Sequence, residues 1–168
     1  ASAGHTSGRI SSESDETVQL AIQSRQTSVS VQIWKEYTDQ IEISIVNPSG
    51  VRVGPIQEVL GPQRFRIGQT EILIYYGKPS PYSISQEIYI DFLPEESYLT
   101  EGVWRIILAS GKIVIGQYEM WLPSDEVLNR GTGFLFPKEQ TTLTIPSSAS
   151  RAISVGAYDA RTFAYADF

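Results

Sequence analysis

Ile41-Glu42-Ile43-Ser44-Ile45-Val46-Asn47-Pro48-Ser49-Gly50 is the stretch whose reading decides the fold. β-Branched residues stand at every second place, then a turn signal closes the run. Period two puts Ile41, Ile43 and Ile45 on one side of an extended chain, and Glu42 and Ser44 on the other. One side is therefore buried and the other wet, as in an antiparallel sheet. Asn47-Pro48-Ser49-Gly50 favours a reversal, because Pro presets one backbone angle and Gly accepts a left-handed one. It links the run to a short strand at 51–53.

The same texture extends in both directions. Val18, Leu20 and Ile22 alternate with Gln19 and Ala21, and Val29, Val31 and Ile33 alternate with Ser30 and Gln32. Later strands are predicted at 64–67, 70–76, 87–93, 103–109 and 112–121, with Ser110-Gly111 as a hairpin between the last two. Lys78-Pro79-Ser80-Pro81 is a loop, since Pro cannot donate to a ladder. Roughly eight or nine strands thus fall within 16–122 at short spacing, and nothing in that span has a helical period. The predicted class is all-β, a jelly-roll-like antiparallel sandwich. Trp34, Trp104 and Trp121 lie in or at the ends of strands and are read as core or edge packing.

After Trp121 the texture changes. Ser124 can cap a short helical turn through Leu128. Strands are predicted at 141–145 and 152–157. The second is small and apolar, like a strand buried on both faces, which implies a partner sheet beyond this chain.

Composition narrows the function. A chain of 168 residues suits one domain, or one with an appendage. The net charge is −6 with no basic run, a poor match to nucleic acid, whose phosphates dominate its affinity. No apolar run is long enough to span a membrane, and no signal peptide is visible at the start. With no cysteine there is no disulfide, thiolate metal site or cysteine nucleophile. Glu13, Asp15 and Glu16 form the densest acidic stretch, but they lack the Gly and closing Glu of a calcium loop. No metal and no cofactor is expected.

Catalytic groups are equally sparse. The only histidine is His5, in Gly4-His5-Thr6-Ser7-Gly8, which reads as a solvated loop near a mobile terminus. No G-x-S-x-G elbow occurs, and a triad needs a histidine between nucleophile and carboxylate. Glu87, Asp91, Glu95 and Glu96 supply carboxylates of the kind glycoside hydrolysis uses, but as a group they read as surface charge. No catalytic residue is expected in the chain.

The two ends carry a resemblance. Thr144-Ile145-Pro146-Ser147-Ser148-Ala149-Ser150-Arg151-Ala152-Ile153-Ser154-Val155-Gly156-Ala157 resembles a core segment of the subtilisin-like serine proteases, the subtilases, where a T-x-P turn enters an I-x-V-G-A strand. Ala1-Ser2-Ala3-Gly4-His5-Thr6-Ser7-Gly8 resembles the stretch after the G-N-E-G loop, whose Asn is an oxyanion-hole donor. More than a hundred residues intervene here, an arrangement similar to the clostridial subtilases of the spore-germination, Csp-like type. In those a jelly-roll domain is inserted between the oxyanion loop and the nucleophile. Gly102-Val103-Trp104-Arg105-Ile106 and Gly116-Gln117-Tyr118-Glu119-Met120-Trp121-Leu122-Pro123 resemble the end of that insert.

The resemblance implies three parts: 1–14 as a flank from a protease-domain loop, 15–123 as the insert, and 124–168 as the return into an α/β catalytic core. It implies a segment of a longer chain that begins and ends inside a serine endopeptidase. The catalytic Asp, the His of H-G-T-H, the oxyanion Asn and the Ser of G-T-S-x-A would all lie outside it. Thr144 would line the specificity pocket of the intact enzyme. The implied role is a non-catalytic insert that braces the catalytic domain and limits substrate access. Its partners would be that domain, the enzyme's protein substrate, and a second copy through the C-terminal strand. The implied location is extracellular, on the cell envelope or spore-associated in a bacterium. The alternative is a carbohydrate- or ligand-binding sandwich, motivated by 9 Tyr and 3 Trp. Tyr75, Tyr76 and Tyr82 are its candidate platform, although alternation turns one of the paired tyrosines inward.

Overall fold

The computed structural model describes residues 3–124, 127–139, 153, 155, 158–159, 161 and 164–165. The described residues are all-β, without a helix. The strands are β1 (His5–Arg9), β2 (Glu16–Ile22), β3 (Val29–Glu36), β4 (Ile41–Val46), β5 (Arg52–Ile56), β6 (Gln63–Ile67) and β7 (Thr70–Tyr76). They continue as β8 (Ser85–Pro94), β9 (Gly102–Ser110), β10 (Gln117–Trp121) and the short β11 (Gly133–Phe134). A separate two-residue pair, β12 (Tyr158–Asp159) with β13 (Ala164–Tyr165), lies toward the C-terminus.

Two antiparallel sheets face each other. One has the order β1-β10-β3-β8-β7-β6 and the other β11-β2-β9-β4-β5. The chain crosses between sheets at each step from β1 to β4, and again from β8 to β10. The returning strands fall between the outgoing ones, which is the jelly-roll wrap. The β6–β7 hairpin widens the first sheet.

Period two explains the core. Ile43 and Ile45 on β4, Ile72 and Ile74 on β7, and Ile88, Ile90 and Phe92 on β8 are buried between the sheets. Each such side chain contributes about 1.5–3 kcal/mol by leaving water. Trp104 is fully buried, edge-on to Phe92 at 5.3 Å between centroids. Its indole N–H donates to the Thr100 carbonyl at 2.9 Å, so its polar atom is satisfied. The turn at Asn47 forms as expected: Gly50 N–H donates to the Asn47 carbonyl at 3.0 Å, and Val51 N–H to the Asn47 side chain at 2.8 Å.

Two readings are corrected. Ser110-Gly111 does not make a hairpin, because β9 and β10 lie in different sheets. Residues 112–116 form a loop instead of the start of a strand. Asp39 is the reason: its carboxylate takes the amides of Val114 (2.7 Å), Ile115 (2.9 Å) and Gly116 (2.7 Å), which a ladder would otherwise use. Gly116 has φ +75°, and a Cβ there would come within 2.1 Å of the Ile10 carbonyl oxygen. The second correction concerns His5–Arg9. It is no loop but the edge strand of the first sheet, paired along its length with β10.

Toward the C-terminus, Ile153 and Val155 are exposed and in no strand, where burial on both faces was expected. Among the described residues no element packs over them. The remaining positions of 152–157, the strand predicted at 141–145 and Thr144 lie outside the described residues.

Candidate functional site

The head of the chain and the segment after β11 meet at one edge of the sandwich. Gly133 and Phe134 extend the second sheet beside Ala21 and Leu20 of β2. The chain then crosses to the first sheet. Leu135 N–H donates to the Gln19 carbonyl at 3.0 Å, the Thr6 hydroxyl to the Phe136 carbonyl at 2.9 Å, and Lys138 N–H to the His5 carbonyl at 2.9 Å. His5 completes the clamp, with Nδ1 lying 2.7 Å from the Lys138 carbonyl. Facing a carbonyl, Nδ1 is the donor of that bond, and Nε2 is buried with no hydrogen-bond partner. The ring packs on Trp121 at 4.0 Å between centroids.

His5 is therefore 2% exposed and is not a solvated loop residue. The antiparallel register of β1 with β10 places it opposite Trp121, and the crossing segment covers it. Below the crossing, a cleft of about 260 Å³ opens between Thr6–Arg9 and Glu16–Gln19. Phe136, at the crossing, remains 74% exposed.

A second polar cluster closes one end of the sandwich. Lys35 is an inward-facing residue of β3, 2% exposed. Its ammonium donates to the carbonyls of Asp39 (2.8 Å) and Glu36 (3.2 Å). Desolvation holds its pKa below the ordinary lysine value, partly offset by the negative charges of Glu58, Asp39 and Glu36. Burial alone would raise the Asp39 carboxyl. The three amides outweigh it, with help from Lys35, so the carboxyl sits below its ordinary range. The cluster ties the 37–40 and 112–116 loops together.

A third feature lies on the outer face of the first sheet. A depression of about 350 Å³ is lined by Trp34, Glu36, Ser85, Gln117 and Glu119, with Lys35 and Tyr118 between them on β3 and β10. In register across the sheet, Trp34 stands opposite Glu119 on β10 and opposite Glu87 on β8.

The other residues singled out from the sequence are dispersed. Glu87 and Asp91 point outward from β8, Glu95 pairs with Arg66, and Glu96 is exposed. Burial raises the Asp91 carboxyl, and a hydrogen bond from Tyr89 partly opposes this. Tyr75 is 41% exposed while Tyr76 is buried, so the paired tyrosines split as alternation requires; Tyr82 is exposed on the 77–84 loop. Asp15 accepts the Ser110 amide at 3.3 Å. Among the described residues no group of His, Asp and Glu is arranged to hold a metal ion.

Sequence reasoning missed the clamp and the depression. Both are built from residues far apart in the chain and juxtaposed only by the wrap. His5-Thr6-Ser7-Gly8-Arg9 carries no apolar alternation, so nothing local signalled β1.

No family model matches the chain, and no curated protein matches it. Among solved structures it is similar to the Clostridium perfringens CspB protease, with a TM-score of 0.86 and 28% identity over 96% of this chain. The chain spans 33% of the length of that protease.

Proposed function

We propose that the chain is the jelly-roll insert of a subtilisin-like serine protease of the clostridial Csp-like type, together with short flanks of its catalytic domain. The observation that carries this reading is the likeness to the Clostridium perfringens CspB protease across 96% of the chain. The flanking sequences support it independently, since subtilase-like motifs stand at both ends of a β domain.

The clamp suits an insert. A domain inserted into another needs its entry and exit close together, and here His5 and Thr6 are hydrogen-bonded to Lys138 and Phe136. Phe136 is exposed at that junction, where a second domain would cover it. In this reading the sandwich performs no chemistry. It braces the catalytic domain against local opening and narrows the approach of protein substrates to the cleft. Thr144 belongs to the specificity pocket of the intact enzyme.

The test is deletion of residues 10–130 from the full-length reading frame, with a short linker in their place. The reading expects impaired folding and self-processing and a lower melting temperature of the protease. Unchanged folding, processing and melting would remove the bracing role. This chain alone should show no peptidase turnover, and inhibitor-sensitive turnover by it would contradict a non-catalytic insert.

A further inference from the structure

The outer face of the first sheet combines three features that the bracing role does not use. The first is concavity: the depression of about 350 Å³ beside Trp34. The second is an aromatic surface. Trp34 is half-buried on β3, and Trp121, Tyr89 and Tyr75 follow one another across the same face in the register Trp121–Gln32–Tyr89–Tyr75. The third is negative charge outside any ion pair. Glu119 and Glu87 flank Trp34 in register on either side, and Glu36 stands two residues along the same strand.

Directly opposed residues in a sheet bring their Cβ atoms to roughly 5 Å, so both glutamates stand beside Trp34. Among the described residues none of these glutamates enters an ion pair. The two salt bridges, Arg64–Glu71 and Arg66–Glu95, lie at the β6–β7 side of the sheet. Two cations on β3 and β1 are engaged by carbonyls. The Lys35 ammonium is turned inward onto carbonyls, and Arg9 Nε donates to the Ile115 carbonyl at 3.1 Å.

We propose that this face binds a cationic polypeptide segment, with a lysine or arginine side chain seated on Trp34 inside the carboxylate rim. A cation over an indole face is attracted by the ring quadrupole, and the attraction grows as water is excluded. The same cation relieves the mutual repulsion of Glu36, Glu119 and Glu87. An anionic ligand meets that repulsion, so acidic peptides and anionic glycans are rejected. The partner is an extended chain rather than a lone ammonium ion, because aromatic side chains recur across the same face, Trp121 on β10, Tyr89 on β8 and Tyr75 on β7. The site does not depend on the protease reading; within a protease it would serve as an exosite for basic stretches of a substrate.

The test is titration of the full 168-residue chain with oligolysine, oligoglutamate and a cello-oligosaccharide, followed by the indole N–H resonances at low and raised salt. Trp34→Phe assigns the Trp34 resonance. Oligolysine is expected to shift that resonance and to release as salt rises. Trp34→Ala, and separately the Glu36→Gln/Glu119→Gln pair, should each weaken binding about tenfold. The melting temperature of the glutamine pair should be unchanged, so that pair decides the matter if Trp34→Ala does not fold. Absence of oligolysine binding overturns the proposal. So does binding that neither variant weakens, or a salt-insensitive response to the oligosaccharide in its place.

Discussion

The His5 imidazole and the Lys138 carbonyl, 133 residues apart in the chain, meet at 2.7 Å. This contact ties the first strand to the segment that leaves the sandwich, and it is sealed on one side by Trp121. His5→Ala removes the hydrogen bond and the ring packing together. A buried hydrogen bond of this kind contributes about 0.5–1.5 kcal/mol, more where its partner is left unpaired. Hydrogen exchange should quicken at Phe134, Leu135 and Lys138, while amides of β3 and β8 keep their protection. Equal loss of protection throughout would mean that the clamp is part of the global core.

Asp39 should make stability acid-sensitive. Its folded pKa lies below the ordinary value of 3.8, so the folded state favours the carboxylate more than the unfolded chain does. That contribution is fully present above about pH 4 and is lost as pH falls through the lower folded value. Urea midpoints of the parent chain and of Asp39→Asn, measured from neutral pH down to pH 2, should converge at the acid end. A constant difference would contradict the assignment.

Tyr118 gives the opposite slope at the alkaline end. Burial raises its hydroxyl to about 12, with a further push from Glu16. The unfolded chain therefore ionises first, and stability falls as pH climbs from about 10 through the folded value. Tyr118→Phe should flatten that decline in alkaline thermal melts. An unaltered decline would place its origin elsewhere.

Two tryptophans should separate cleanly. Trp104→Ala empties a fully buried site against Phe92 and should cost about 3–5 kcal/mol in urea unfolding. Trp34 lies half-buried on the outer face, and its replacement by Ala should cost well under half as much. Equal costs would mean that Trp34 belongs to the core.

Gly116→Ala tests the loop that replaced an expected hairpin. The added methyl meets the Ile10 carbonyl, and the backbone is left-handed there. Destabilisation above about 1 kcal/mol is expected, detected as a lower melting temperature. A neutral effect would mean that the loop can move away from Ile10.

What could be read from the sequence follows from how local each signal is. The strands carrying Val18 to Ile22, Val29 to Ile33 and Ile41 to Ile45 were legible because period two is written in adjacent residues. The turn at Asn47 was legible for the same reason. The role of 112–116 was not: Ile113, Val114 and Ile115 have strand propensity, and only Asp39, seventy-five residues from Val114, withdraws their amides. His5 failed in the same way. A histidine among Gly and Ser looks solvated until the crossing segment covers it. The site around Trp34 depends on register between β3, β8 and β10, and nothing local fixes register across three distant strands.

If the sandwich is an insert of a serine protease, as proposed, the reading frame on either side of it encodes the rest of that enzyme. Sequencing that frame should find a catalytic Asp, an H-G-T-H motif and a G-N-E-G-like loop encoded before Ala1, and a G-T-S-x-A motif, or its pseudoprotease remnant in the same place, after Phe168. A frame that flanks these residues with further β modules, and with no subtilase core on either side, would contradict it.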